Sequence, residues 1–252
     1  VKNKVNMQQT KLSVIMNTLK SSNFPRLWFI SPLIRYSHHA VKNSLLAKRD
    51  HSTYGCTNSC WNCEFKHDCK LFCPSCEIIQ CGECASKSLN FFELLQLRQT
   101  FDISVSSLKE YYIKLQTRLH PDKFVKKSSR EQSYSTVHSA VINEAHKVLS
   151  DPLKRGLYLL ELNGYVVDER SVNDNDFISS IFALNFQVEE CEDVDELKIM
   201  LSNIDADIKH DIEDTNIAFT NNDFESAKRE LIKMRYRRNL KQLIEDKIMK
   251  LT

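Results

Sequence analysis

Two groups of residues in this 252-residue chain have the types and spacing that chemistry requires. The first is a crowd of cysteines: eight of the nine fall between Cys56 and Cys84. Within it, Cys60-Trp61-Asn62-Cys63 and Cys73-Pro74-Ser75-Cys76 form two C-x-x-C pairs with nine residues between them. Each pair can grip from one turn, and four thiolates close tetrahedrally on one zinc ion. Cys60, Cys63, Cys73 and Cys76 are therefore expected to hold a single structural zinc. A closed four-sulfur site leaves no open position for a substrate, and it supplies folding energy to a segment too short to build its own core. Cys56, Cys69, Cys81 and Cys84 could ligate a second ion, and Cys81-Gly82-Glu83-Cys84 is itself a C-x-x-C pair. A directly bound iron–sulfur cluster and redox-active thiols draw on the same residues and stay open as alternatives. Disulfides fit less well, because no secretory apolar core with a small-residue cleavage site accompanies the cysteines. Cys191 stands alone and reads as a small buried hydrophobe.

The second group is His120-Pro121-Asp122, with Lys109, Lys114 and Arg118 before it and Lys123, Lys126 and Lys127 after it. Lys114 and Arg118 are four apart and share a helix face. Such a patch steers a protein toward an acidic surface, quickly and in a salt-sensitive way. His120 and Asp122 have no nucleophile beside them, and the four glycines are scattered singly, so no phosphate-binding loop exists. Catalysis is not expected; the chemistry is that of recognition.

The elements that must position these residues are helical. From Glu83 onward the only breakers are Pro121, Pro152, Gly156 and Gly164. Three helices are expected over residues 89–162: a short one near Phe91–Leu97, one from Ser104 to Leu119, and one from Ser129 to Leu149. The second carries Leu108, Tyr112, Leu115 and Leu119 on one stripe, and Pro121 stops it. The third is expected to bury Tyr134, Val137, Val141, Ala145 and Val148, and to end at Asp151-Pro152. Two such helices joined by a polar loop make a hairpin whose stripes bury each other. Three more helices are expected over 174–252, with Leu197, Leu201, Ile204, Ile208 and Ile212 as one core stripe. The pattern shows no internal repeat. The division expected is a leader over 1–50, a cysteine segment over 56–84, a helical hairpin domain over 89–162 and a three-helix domain over 174–252.

Residues 112–123 and 142–152, with the His-Pro-Asp loop between a Tyr-x-Lys-Leu helix and an Asn-Glu-Ala helix that ends at Asp-Pro, resemble a J-domain, the DnaJ-type module. The order of a Cys-Trp-Asn-Cys knuckle, a Phe-Cys-Pro-x-Cys knuckle, this J-domain and Leu153-Lys154-Arg155-Gly156-Leu157-Tyr158-Leu159-Leu160 is more particular. With Asp223-Phe224-Glu225 and Lys233-Met234-Arg235-Tyr236, it resembles the HscB-type co-chaperones of iron–sulfur cluster assembly over about residues 60–250. The resemblance implies an all-α, L-shaped molecule: a J-domain helical hairpin packed on a carboxy-terminal three-helix bundle, preceded by the zinc knuckle. It implies that His120, Pro121, Asp122, Lys109, Lys114, Arg118 and Lys123 meet a mitochondrial seventy-kilodalton heat-shock ATPase and stimulate it. It implies that the bundle binds the cluster scaffold protein through Ile178, Ser179, Phe182, Ala183, Phe186, Glu190 and Tyr236. Ser179 stands where the family has a larger apolar residue, and Ala183 and Phe186 stand where acids are frequent. A general J-protein serving other clients and a thiol oxidoreductase are the rival functions.

Net charge is +2 but unevenly placed: residues 1–49 hold nine Lys or Arg and no Asp or Glu. A basic, Ser-containing, acid-free leader has the character of a mitochondrial transit peptide, and Arg35-Tyr36-Ser37 resembles a matrix-protease site. The expected location is the mitochondrial matrix. No apolar run reaches the length of a membrane span. Nucleic acid is not an expected partner, and a homodimer is left open.

Overall fold

The computed structural model describes residues 59–67, 70–81, 89–167 and 174–252. The expected leader, and Cys56, Cys69 and Cys84 of the second cysteine group, lie outside the described residues. Among the described residues the backbone forms seven α-helices, one 3-10 turn and two isolated antiparallel bridges. The helices are α1 (Phe91–Leu94), α2 (Val105–Leu119), α3 (Ser129–Ser150), α4 (Pro152–Leu162), α5 (Asn175–Glu190), α6 (Val194–Thr220) and α7 (Phe224–Leu251), and the 3-10 turn is Pro121–Phe124. None is long and apolar enough to cross a membrane.

Helix starts follow side-chain caps. Asn90 and Ser128 each form a reciprocal capping box, with Glu93 and Glu131 three residues on, so two orphan N–H groups are satisfied at once. Ser104, Asp174, Asp193 and Asp223 cap α2, α5, α6 and α7. Helix α1 is shorter than the apolar pattern implies. Gln96 takes φ 55°, Leu97 N–H reaches the Phe92 carbonyl at 2.8 Å, and Gln96 N–H reaches Glu93 at 3.1 Å. That is a Schellman closure made by a residue other than glycine.

Over residues 89–162 the chain forms four α-helices, not three. Asp151-Pro152 ends α3, but it also starts α4. The Asp151 carboxylate accepts from Leu153 and Lys154 N–H at 2.9 and 3.3 Å, and Pro152 occupies the first turn, where its missing N–H costs nothing. The buried face of α3 is also rotated by one position from the expected stripe. Ser135, His138, Ser139, Ile142, Ala145, Val148 and Leu149 are buried, while Tyr134, Val137 and Val141 are only partly so. The polar members can be buried because each finds a partner. Ser135 donates to the Leu119 carbonyl at 2.7 Å, Ser139 donates to Gln116 at 3.1 Å, and the His138 ring reaches the Gln80 carbonyl at 3.0 Å.

The apolar residues fall into three cores. One joins α1–α4 around Phe92, Leu108, Leu119, Ile142 and Leu149, and it takes in Ile79 from the cysteine segment. A second joins α5, α6 and the far part of α7 around Ile181, Val188, Leu197, Ile204, Leu240 and Ile244. The third lies between them and is made by Leu160 of α4, Ala218 of α6, and Ala227, Leu231 and Met234 of α7. It is the junction of hairpin and bundle. The Arg238–Asp151 ion pair at 2.7 Å and the Phe101–Phe219 stack at 5.4 Å flank it. Gly156 lets α4 and α7 approach: a Cβ there would stand 2.4 Å from Leu231 Cδ2. Inside the bundle, Arg237 bridges Asp207 at 3.4 Å and the buried Asp211. Burial nonetheless holds the Asp211 carboxyl above the usual range, against the pull of Arg237.

Candidate metal centre and interaction loop

The cysteine segment is built twice. Ser59 bridges Lys66 and Phe72 bridges Ile79. Cys60 N–H donates to the Phe65 carbonyl at 2.8 Å, and Cys73 N–H donates to Ile78 at 2.9 Å. Glu64 and Glu77 close the two loops at φ 58° and 56°. Asn62 and Ser75 N–H each point at the first sulfur of their own loop, at 3.4 Å. Every member of the second knuckle stands 13 residues after its counterpart. This is a short internal repeat, marked in the sequence by Cys-x-x-Cys-Glu at 60–64 and 73–77 and absent from the apolar pattern.

The repeat brings four sulfurs together. Cys60 and Cys76 Sγ are 3.6 Å apart, Cys63 and Cys73 Sγ are 3.7 Å apart, and all four ligand atoms lie within 4.8 Å of one another. Thiolates at about 2.3 Å from a tetrahedral ion stand about 3.8 Å from each other, so the donor set fits a four-thiolate metal site. Its electrostatics are uneven. Burial alone would raise the Cys60 thiol, but the Cys63 and Asn62 N–H groups and the Cys76 and Cys63 thiols outweigh it and bring it down to about 6. At Cys63 the Phe65 N–H would lower the thiol, yet burial and the Cys76, Cys60 and Cys73 thiols push it up to about 11. Cys76 is lowered, chiefly by the Ile78 N–H. Four sulfurs this close cannot all be anionic without a cation, and a bound cation would drive off the remaining protons. Among the described residues Cys81 is not part of this group. Cys191 is buried and its thiol donates toward the Asp193 carbonyl at 3.4 Å.

The segment sits on the α2–α3 hairpin. Ile79 is buried in the hairpin core, with Leu71 and Phe72 packed against it. Arg118 of α2 stacks over the Phe72 ring at 4.0 Å, and Arg130 of α3 over Trp61 at 5.1 Å. Trp61 donates its indole N–H to the Ile79 carbonyl at 2.8 Å. None of Gln80, His138, Phe72 or Arg130 carried a sequence signal for this role.

At the end of the same hairpin lies the His-Pro-Asp loop. His120 leaves helical geometry at φ −58°, ψ 130°, as a residue preceding proline should. Its Nδ1 accepts from the Asp122 N–H at 3.3 Å and stands 3.5 Å from the Asp122 carboxylate. The Asp122 side chain is 85% exposed. Phe124 is buried beneath the loop. Gln132 donates to the Val125 and Lys127 carbonyls at 3.2 and 2.9 Å. The loop is thus exposed yet braced. Lys109, Lys114, Arg118 and Lys123 are all exposed, Lys114, Arg118 and Lys123 toward the loop end and Lys109 nearer the start of α2.

On α5, residues 178, 182, 186 and 190 recur at one-turn spacing with 179 and 183 beside them, while Ile181 and Val188 are buried on the opposite side. Phe182 and Phe186 are 43% and 55% exposed. Ser179 and Glu190 are exposed, and Ile178 and Ala183 half-buried. Tyr236 lies deeper: it packs against the second core, edge-on to Phe177 at 6.0 Å.

The chain resembles known proteins over both of its helical parts. Residues 90–158 match the DnaJ domain, and residues 173–245 match the HSCB C-terminal oligomerisation domain. The iron–sulfur cluster co-chaperone protein HscB of Homo sapiens is 34% identical over 192 residues, covering 74% of this chain and 80% of that protein. The HscB homologue of Arabidopsis thaliana is 31% identical over 178 residues, covering 70% and 69%. The crystal structure of human HscB matches with a TM-score of 0.69 at 34% identity, over 75% of this chain and 98% of that one. The chaperone HscB from Vibrio cholerae matches with 0.60 at 27% identity, over 65% and 100%.

Proposed function

This chain belongs to the HscB family of iron–sulfur cluster co-chaperones, and from that membership we propose that it couples a cluster scaffold protein to a mitochondrial seventy-kilodalton heat-shock ATPase. The ATPase is met by the loop His120-Pro121-Asp122 and by Lys109, Lys114, Arg118 and Lys123. The observation that carries this part is the loop itself. An Asp122 carboxylate 85% exposed is held on a braced backbone turn at the tip of a basic hairpin. It offers a preorganised acceptor to a cation on the ATPase, where a charge-assisted hydrogen bond is strong and orientation-dependent. His120 positions that carboxylate by accepting from the Asp122 backbone. The chain performs no chemistry of its own; it shifts the ATPase toward its hydrolysing state.

The scaffold protein is taken on the outer face of α5, through Ile178, Ser179, Phe182, Ala183, Phe186 and Glu190, with Tyr236 beneath. Two large aromatics one turn apart and exposed to solvent support a docking role, since monomers keep few such patches without one. Cys60, Cys63, Cys73 and Cys76 would hold one zinc ion, which contributes charge neutralisation and a fixed tetrahedral geometry. The basic leader supports residence in the mitochondrial matrix.

A single-turnover ATPase assay with the matrix chaperone tests the first part. Stimulation by the wild type should disappear in Asp122→Asn, with unfolding free energy changed by no more than about 0.5 kcal/mol because the residue is exposed. Full stimulation by that variant would overturn the assignment. Retention of the scaffold protein from a matrix extract separates this function from that of a general J-protein.

A further inference from the structure

Beside the apolar contacts of Ile79, Leu71 and Phe72, one residue ties the cysteine knuckles to the hairpin by hydrogen bonds. Gln80 is buried, and every polar atom it has is used. Its backbone N–H donates to the Leu71 carbonyl at 2.9 Å. Its side-chain N–H group donates to Cys60 Sγ at 3.3 Å and to the Ile78 carbonyl at 2.9 Å, and its side-chain oxygen meets His67 at 3.3 Å. Its backbone carbonyl accepts from the buried His138 ring of α3 at 3.0 Å. One turn earlier on α3, Ser135 clamps the Leu119 carbonyl at 2.7 Å, and Leu119 is followed directly by His120. Alongside this path, Arg118 rests on Phe72.

We propose that the four-thiol knuckle is a control element of the hairpin. A thiophilic divalent cation bound by it fixes the end of α2 and α3 that carries His120-Pro121-Asp122, with Gln80 and His138 as positioning residues. The knuckles have almost no core of their own, so without a cation they cannot persist as folded units. Their loss withdraws Ile79, Leu71 and Phe72 from the hairpin, removes the ring under Arg118, and leaves a buried His138 donor without its acceptor. A buried donor so orphaned destabilises its surroundings, and these lie beside the loop. The coupling is reciprocal: whatever the cation does for the hairpin, the hairpin does for cation affinity by the same factor.

The proposal rests on the J-domain reading for its consequence, but its test does not. Zinc affinity of the full chain is measured by competition with a chromophoric chelator, and hydrogen exchange across residues 118–135 is followed with and without zinc. Removing zinc should raise exchange across 118–127 about tenfold, within the usual range for coupled sites. His138→Leu, which touches no sulfur, should lower zinc affinity about tenfold. His138→Gln, which keeps a donor, should restore most of it. Phe72→Ala, on the rim of the contact, should act in the same direction with less risk to folding. In the ATPase assay, removing zinc should raise the concentration for half-maximal stimulation and leave the maximum in place. Unchanged exchange across 118–127 on zinc removal, or unchanged zinc affinity in both His138→Leu and Phe72→Ala, overturns the proposal. If the zinc-loaded wild type does not stimulate any ATPase, the J-domain reading fails while exchange and affinity still decide the coupling.

Discussion

Replacing Gly156 by alanine sets two effects against each other at one position. The residue lies within α4, where alanine is favoured over glycine by about 1 kcal/mol. Propensity alone therefore argues for a more stable protein. The added Cβ, however, would stand 2.4, 2.9 and 3.2 Å from Leu231 Cδ2, Cδ1 and Cγ. Leu231 has no exposed surface and is packed among Leu160, Ala218, Ala227 and Met234, so its side chain has no void to turn into. Overpacking of this kind costs roughly 1–3 kcal/mol, and three contacts on one side chain put Gly156→Ala toward the upper part of that range. The net expectation is a loss of about 1–2 kcal/mol, read as a lower urea midpoint and a melting temperature lower by about 2–4 °C per kcal/mol. The double variant Gly156→Ala with Leu231→Ala sharpens the test. Leu231→Ala alone opens a cavity costing about 2–5 kcal/mol, and the new methyl would partly fill it. The double variant should be less destabilised than the sum of its parts by about 1 kcal/mol or more. If Gly156→Ala is more stable by the propensity amount, or the two changes are additive, the close approach of α4 and α7 is not what requires glycine.

Three further outcomes are expected. Burial lowers the His138 pKa to about 4 from an unfolded value of about 6.5. Its folded form resists the proton, so its contribution is present above about pH 6.5 and is lost as pH falls toward 4, a change on the order of 3 kcal/mol; stability curves for His138→Gln should be flatter than wild type over that window. Phe182→Ala with Phe186→Ala should leave thermal stability within about 1 kcal/mol, since both rings are exposed, while weakening scaffold binding by at least tenfold in calorimetry; normal binding would move the client elsewhere. Tyr236→Ala should lower stability by about 2 kcal/mol or more through its contact with Phe177 and the second core, so Tyr236→Phe is the variant that isolates its hydroxyl in the binding measurement.

The elements that carry their own caps were legible in the sequence. Ser104 and Pro121 bound α2 and Ser129 begins α3 as the pattern implies, whereas the Ser128–Glu131 capping box that opens α3 emerged only with the structure. The family resemblance marks Phe182 and Phe186, but their exposure depends on which side of α5 meets α6 and α7, which the pattern of α5 alone does not decide. The closeness of the four sulfurs follows from the two C-x-x-C spacings. What was hidden depends on tertiary partners. The buried face of α3 is polar at Ser135, His138 and Ser139, and an apolar stripe is blind to it. Gln80 lies next to Cys81 in an unremarkable stretch, yet its role comes from a histidine 58 residues on. Helix α4 was masked because Asp-Pro serves at once as an end and a beginning.

Helix α7 runs from Phe224 to Leu251 without a glycine or proline, about 42 Å at the rise of an α-helix. Its early turns belong to the core shared with α4, and its later turns belong to the core shared with α5 and α6. A rod anchored in two cores does not hinge between them. A scaffold protein docked on α5, as proposed, would therefore be mounted on a stiff lever whose other end is bolted to the hairpin. If an ATPase holds the loop as proposed, any movement it imposes on the hairpin would reach α5 as rotation of one body, with little lost to bending on the way.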